Sequence, residues 1–377
     1  MFNVYTIPTK YLYGVTDDNF VISVQEGVDP VDKNHIMNWL SEWERLCNNT
    51  YSNKKYCGTI LPIHITWNTK KIIQQDHFIL DSNAIDLLNK NQLVVVFDMT
   101  QDSITNERLK IIHNTIAKYN IDYNSCVIAN NYDLNFNNIR TAKFEHGLYF
   151  IPAFDKSIEQ KILSSVNRPK KILSFCTKFS YLNQRYDMCR LLDKYNLREG
   201  NIITAPIIAE PKNQFELSLP WVYDHDNYKN IIVNLPKFNK AFTETYVSLI
   251  LETFASKTNH GIDISEKTTN AIRHYHPFIM HSAPGSINYL QSLGYKTFNK
   301  WWDESYDNIN DNNLRRRAII KILQNINNMT VNQLQDMYVD MIPTLTHNAD
   351  YHRNFMSNIE YLKPLLFQVE QCFANKR

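Results

Sequence analysis

Short apolar runs separated by amphipathic stretches recur along this chain, and that alternation restricts the fold class more than any other feature. The run at 93–97 (LVVVF) is the clearest, and comparable runs at 20–24, 60–67, 126–130 and 148–153 predict strands. Between them the spacing predicts helices over 30–46, 83–89 and 105–119, where Leu109, Ile112 and Ile116 share one face. Strand, helix and strand in succession is the pattern of a parallel sheet with crossover helices.

A second set of the same kind follows residue 170. Strands are expected at 172–176, 202–208, 231–235 and 247–251, with a helix over 182–194. A chain of 377 residues is longer than one core usually serves, so two domains are expected, with a boundary in the polar connector 155–170 that carries Pro169. The division expected is 1–160, 161–345, and a terminal helical segment 346–377 packing back on the first domain. Eight glycines are too few for a flexible linker, and 44% hydrophobic residues suffice for two cores. No run approaches the length of a membrane span and residues 1–10 lack a signal-peptide layout, so a cytoplasmic protein is expected. The six cysteines show no metal-ligand spacing and are read as reduced and mostly buried.

The segment 262–307 carries the functional signal. Asp263 or Ser265 can cap a helix whose apolar face is Ala271, Ile272 and Tyr275 and which Pro277 stops. A short buried strand at 277–280 follows, and a second helix opens at Ser286, a capping candidate counted also among the nucleotide-sugar-binding candidates, and closes at Gly294. A loop feeding a helix N-terminus beside Lys267 is a place to hold phosphate, and the neighbouring Glu266 is placed to hold ribose hydroxyls. Ser265-Glu266-Lys267-Thr268 is also an ordinary helix start, so a purely structural cap is the competing reading.

The succession Ser-Glu-Lys-Thr, His-Pro-Phe-Ile, Pro-Gly-Ser, Leu-Gly-Tyr-Lys-Thr-Phe and Asp-Glu-Ser-Tyr-Asp resembles the C-terminal domain of a phage and bacterial glycosyltransferase-like family, distantly similar to the fucosyltransferases and exostosins. The match covers 263–307 well and 170–317 loosely. The resemblance implies an α/β, GT-B-like fold of two doubly wound parallel-sheet domains facing across a cleft. It implies that Glu266 binds the nucleotide ribose or base and that Lys267, with Ser265 and Thr268 beside it, faces the diphosphate. Glu252 stands where fucosyltransferases carry the glutamate of a Glu-Asn-Ser motif, although Thr253 and Phe254 replace Asn-Ser here. Arg185 resembles an arginine that reaches the diphosphate, with Arg190 as its competitor.

Sugar transfer needs a held diphosphate, neutralisation of its developing charge and, for inversion, a base. Lys267, Arg185 and a helix dipole supply neutralisation without a metal, so a metal-independent transferase with a nucleotide-diphosphate sugar as co-substrate and no cofactor is expected. Asp98 is the candidate base because it ends the run 93–97, where parallel sheets present functional groups; Thr100 and Asp102 compete with it for a simple capping role. Glu145 with His146 is a second acid-base candidate, and Trp301 and Trp302 are candidates for stacking on a base or sugar.

A net charge of +2 argues against a protein that coats nucleic acid. The basic clusters at 54–55, 70–71, 168–171 and 315–317 nevertheless keep a hydroxymethylated base in phage DNA beside a glycan as the acceptor. A non-catalytic nucleotide-sugar-binding structural or regulatory viral protein is the alternative of another class.

Overall fold

The computed structural model describes residues 2–4, 58–64, 77–78, 80, 82–99, 106–130, 138–143, 159, 162–165, 167–176, 184–206, 217, 219–223, 235–252, 255, 262, 264–357 and 363–374. The chain divides into two compact units, one of residues 1–146 with 359–377 and one of residues 147–358. Each is built on its own parallel sheet, so the fold is α/β with two parallel-sheet units.

In the first unit β1 (Phe2–Val4), β2 (Gly58–His64), β3 (Leu93–Asp98), β4 (Cys126–Asn130) and β5 (Arg140–Lys143) pair in that order, all parallel. Residues 93–97 have no solvent exposure, which is why that strand carries no polar face. The helices α1 (Ser82–Asn89) and α2 (Asn106–Lys118) close on the same core, α2 through Ile111, Ile112 and Ile116. The expected strands at 20–24 and 148–153 and helix at 30–46 fall outside the described residues.

In the second unit the order along the chain is β6 (Ile172–Phe175), α3 (Gln184–Lys194), β7 (Ile202–Thr204), α4 (Leu235–Glu244), β8 (Val247–Leu251), α5 (Glu266–Arg273), β9 (Phe278–His281), α6 (Ser286–Ser292), α7 (Asn312–Asn328) and α8 (Val331–Ser357). The strands lie in the order β7-β6-β8-β9, all parallel. After β6 the chain adds β7 on one side and then returns to add β8 on the other. Winding therefore reverses between β6 and β8. Leu235, expected to end a strand at 231–235, instead opens α4, with Pro236 in the first turn, where its missing N–H costs nothing. α8 runs unbroken through residue 345, where a boundary was expected. The last helix, α9 (Lys363–Ala374), belongs to the first unit, where it packs on β3, β4 and β5 and the Cys372 thiol approaches the Cys126 carbonyl at 3.8 Å.

Basic residues expected on solvated faces are used internally in this unit. Arg168 is buried, donates to the carbonyls of Ile162, Ser165, Phe242 and Thr245, and lies 3.9 Å over the Tyr338 ring. Lys171 donates to the carbonyls of Asn327 and Met329. Among the described residues no helix is long and apolar enough to cross a membrane.

Gly294, past the end of α6, has φ +101°, and a Cβ there would lie 2.7 Å from the ring and hydroxyl of Tyr351. Gly294→Ala is expected to cost about 2 kcal/mol through strain and overlap together. That corresponds to a fall of about 4–8 °C in the melting temperature of a unit this size. A shift below about 1 °C would mean that Tyr351 simply swings aside.

Candidate functional site

β6 and β8 pair at Ile172 with Val247 and Leu173 with Ser248, and next along them the Ser174 hydroxyl donates to the Leu249 carbonyl at 2.9 Å. A shallow recess of about 30 Å³, open to solvent, lies beside them, lined among others by Ser174, Phe175, Phe238, Phe242, Lys267 and Asn270. This is the reversal point of the sheet, at the carboxyl ends of its strands, where open α/β sheets bind ligands. Phe175 stacks on Phe238 with ring centroids 5.4 Å apart, giving the recess an apolar wall, and α5 supplies Lys267 and Asn270.

The start of α5 is fixed by two devices. Ser265 is the N-cap, in extended backbone, and its hydroxyl accepts from the Lys267 amide at 3.3 Å. Glu252, buried just past β8, accepts from the Ser265 amide at 3.1 Å, the Thr268 hydroxyl at 2.7 Å and the Ser265 hydroxyl. Glu252 is thus a clamp on the helix start, its carboxylate engaged by three protein donors. Thr268 is fully buried for the same reason.

The helix ends in a Schellman arrangement, His276 N–H to the Ala271 carbonyl and Tyr275 N–H to that of Ile272. Tyr275 takes the left-handed conformation usually left to glycine, φ 50°, and the Tyr338 hydroxyl holds its carbonyl. Both ends of α5 are therefore pinned, and Lys267 projects from a rigid turn.

Lys267 Nζ donates to the Ser265 hydroxyl at 3.0 Å and to Glu266 at 2.8 Å. The Glu266 side chain is 51% exposed and that of Lys267 13%. Surrounding protein disfavours the charged form of Glu266, but the Lys267 ammonium, with help from Arg185, outweighs it and holds the carboxyl below its usual range. Glu266 is thus an ionised acceptor within reach of solvent. Arg185 is buried in the first turn of the described α3 and donates from Nε to the Glu252 carbonyl at 3.2 Å. Arg190, one turn on, is exposed, so Arg185 is the arginine at this place.

The structure thus brings together Arg185, Glu252, Ser265, Glu266, Lys267 and Thr268. Ser286 stands apart from them. Its hydroxyl is buried and satisfied by the Ala283 carbonyl and Ser282, and the capping expected of it falls to Asp307, which accepts from the amides of Ile287 and Asn288. The Asp307 carboxylate thus occupies the N-terminus of α6. Trp302 is buried against Phe298 and is not offered for stacking, and the half-buried Trp301 donates its indole N–H to Asp340 at 2.7 Å. Asp98 ends β3 beside His64 and Ala129; its side chain, and Thr100, Asp102, Asp263, Glu145 and His146, lie outside the described residues.

Sequence reasoning gave His281 no site role and weighed Arg315 and Arg316 only as part of a basic cluster. His281 ends β9, and the two arginines sit in the first turns of α7, all three buried. The only signal was the run Arg315-Arg316-Arg317, which read as a surface basic cluster; only Arg317 is exposed.

A parallel sheet with a recess at its reversal point, a pinned helix start, two cations and an ionised carboxylate beside them suits an anionic ligand that carries hydroxyls. No family model matches the chain, and no curated protein matches it. Among solved structures, the α,α-trehalose 6-phosphate synthase of Burkholderia multivorans is 12% identical over 90% of this chain and 78% of that one, TM-score 0.35. The UDP-forming α,α-trehalose-phosphate synthase of Burkholderia vietnamiensis is 11% identical over 88% and 78%, TM-score 0.37. An E. coli trehalose-6-phosphate structure bound with UDP-2-fluoro glucose is 13% identical over 88% and 78%, TM-score 0.32. Similarity this loose does not align side chains, and the site stands on its own geometry.

Proposed function

We propose that this chain is a glycosyltransferase that moves a sugar from a nucleotide-diphosphate sugar to a hydroxyl acceptor. The observation that carries the reading is the recess beside β6 and β8 with the Ser265-Glu266-Lys267 turn clamped at its edge by Glu252. Glu266 accepts hydrogen bonds from ribose hydroxyls, and Lys267 and the amide end of α5 face the diphosphate, with Arg185 behind them. As the acceptor oxygen bonds to the anomeric carbon, the bond from that carbon to the diphosphate breaks and its electron pair stays on phosphate oxygen. The cations stabilise that charge most where it is largest, in the transition state. The acceptor proton needs a base if configuration inverts, and Asp98 in the first unit is the candidate for it.

Metal independence belongs to this proposal and has its own check, because the sequence carries Asp224-His225-Asp226, outside the described residues. Transfer that survives a chelator supports it; loss restored by a divalent ion overturns it. The acceptor is a glycan or a hydroxymethylated base in phage DNA. Burial of Arg168, Arg315 and Arg316 takes three cations away from any DNA surface and favours the glycan. DNA as acceptor predicts steep salt dependence of acceptor binding.

Calorimetric titration with GDP, UDP, ADP and CDP tests the donor site. One of the four is expected to bind, and Glu266→Ala and Lys267→Ala each to weaken it about 10- to 100-fold, the loss of about 1.4–2.8 kcal/mol that a charge-assisted contact provides. Absence of binding by the folded protein to all four overturns the reading. Binding without turnover of any donor sugar moves the protein to the non-catalytic alternative.

A further inference from the structure

Beneath the proposed donor site lies a group of nitrogen donors that the protein itself leaves unsatisfied. His281 is wholly buried, and among the described residues neither of its ring nitrogens has a hydrogen-bond partner. Arg315 Nε and one terminal nitrogen of Arg316, Nη1, are equally buried and equally without partners. Buried donors are normally paired, and each orphan is destabilising. Three orphans on adjoining side chains are therefore a costly arrangement unless something absent from the protein completes it.

The side chains converge because three elements are tied at one place. Arg315 donates to the carbonyl of Ala255, whose amide is held by Gln184 at 2.7 Å, and Arg185, next along α3, holds the Glu252 carbonyl. Arg316 pairs with Asp187 of α3 at 3.0 Å, and α7 packs on both α3 and β9. Burial first, then the positive charges of Arg316, Arg315 and Arg185, hold His281 in its neutral form, so it offers one N–H donor and adds no charge. Asp187 is 34% exposed, so on that side the group lies one side chain below the surface.

We propose that Arg315, Arg316 and His281 form an anion seat that takes a terminal phosphate in exchange for Asp187. The inference rests on the donor-site reading, since the phosphate it would take is that of the nucleoside diphosphate that leaves the sugar. The free nitrogen of Arg316, Nε of Arg315 and the imidazole N–H supply three donors to one tetrahedral group, and a phosphate dianion outcompetes a single carboxylate for Arg316.

The test is titration of inorganic pyrophosphate, and of the nucleoside diphosphate found to bind, into the wild type and the Arg316→Gln, Asp187→Asn and Lys267→Ala variants, each checked for native melting. Arg316→Gln is expected to weaken both ligands at least tenfold. Asp187→Asn, which removes the competing carboxylate, is expected to tighten both several-fold, an effect that a merely structural ion pair would not give. Pyrophosphate binding lost in Arg316→Gln, even where no nucleotide binds, supports the seat while the donor reading fails. Nucleotide affinity lowered by Lys267→Ala but untouched by both Arg316→Gln and Asp187→Asn overturns the seat and leaves the donor reading standing. No binding of pyrophosphate or nucleotide overturns both.

Discussion

Acidification from pH 7.5 to 5 is expected to remove about 4 kcal/mol from the stability of the second unit through two histidines alone. His276 is buried between the Thr245 carbonyl, 2.7 Å from Nε2, and the Ser248 hydroxyl, 2.8 Å from Nδ1. Burial, and then the charge of Arg168, lowers it to about 3. His352, against Tyr295, is lowered to about 4 by burial and then by Arg273. In the unfolded chain a histidine takes up its proton near about pH 6.5. Between that pH and the folded values the unfolded state binds more protons, so this stability is present above about 6.5 and is lost as pH falls. Each histidine contributes about 1.4 kcal/mol per pH unit over that window, hence about 2 kcal/mol each by pH 5. His274, stacked 3.8 Å on Phe242, and His281 are lowered well below their ordinary value by burial first and act in the same direction. Asp307 and Glu304, raised by burial, act oppositely, and they blunt the fall only where they start to protonate. Urea-unfolding midpoints from pH 7.5 to 5 measure this. A midpoint flat across that range, or one whose slope is unchanged by His276→Gln, would show that these rings are not held neutral by the fold.

The legible and illegible parts of this chain differ in how much of their determination is local. β3 could be read directly because all five residues of 93–97 are apolar and all five are buried. β5 could not, because it is an edge strand reading Arg-Thr-Ala-Lys in which only Ala142 is buried, and an edge needs no apolar code. α4 was mistaken at its start because 231–235 is mostly apolar; Pro236 and the spacing of Phe238, Ala241 and Phe242 were the better signal. At the site, Ser265-Glu266-Lys267 was visible because its three residues are contiguous and the N-cap is a local device. His281 and Arg316 are 35 positions apart by number, and both are far from Arg185; their meeting depends on how α7 packs on β9 and α3. No sequence spacing encodes that. Glu252 lies between the two cases: its position drew attention, but only the fold shows that the carboxylate is engaged by Ser265 and Thr268.

That assignment makes Glu252 the residue whose loss should couple stability to binding most directly. Glu252→Ala leaves the Ser265 amide, the Ser265 hydroxyl and the Thr268 hydroxyl facing an empty buried space, where each had bonded to a charged acceptor. Hydrogen bonds to charged groups are worth about 1.5–3 kcal/mol each, and part of that is recovered as the hydroxyls find new partners, so a net cost of about 3–4 kcal/mol is expected. For a unit of this size that is a fall of about 6–16 °C in melting temperature. The consequence for function follows from the Ser265 hydroxyl, which bonds at once to Glu252 and to Lys267 Nζ. Released from Glu252, that hydroxyl no longer fixes the ammonium, and nucleoside diphosphate affinity should drop about tenfold even well below the new melting temperature. Glu252→Gln separates the two effects. Its amide oxygen can still accept from Ser265 or Thr268, while its NH2 group cannot accept from the Ser265 hydroxyl, so most of the stability should return and the binding defect should remain. If Glu252→Gln binds nucleotide like the wild type, Glu252 holds the helix without positioning Lys267, and the link from the buried clamp to the ligand is broken.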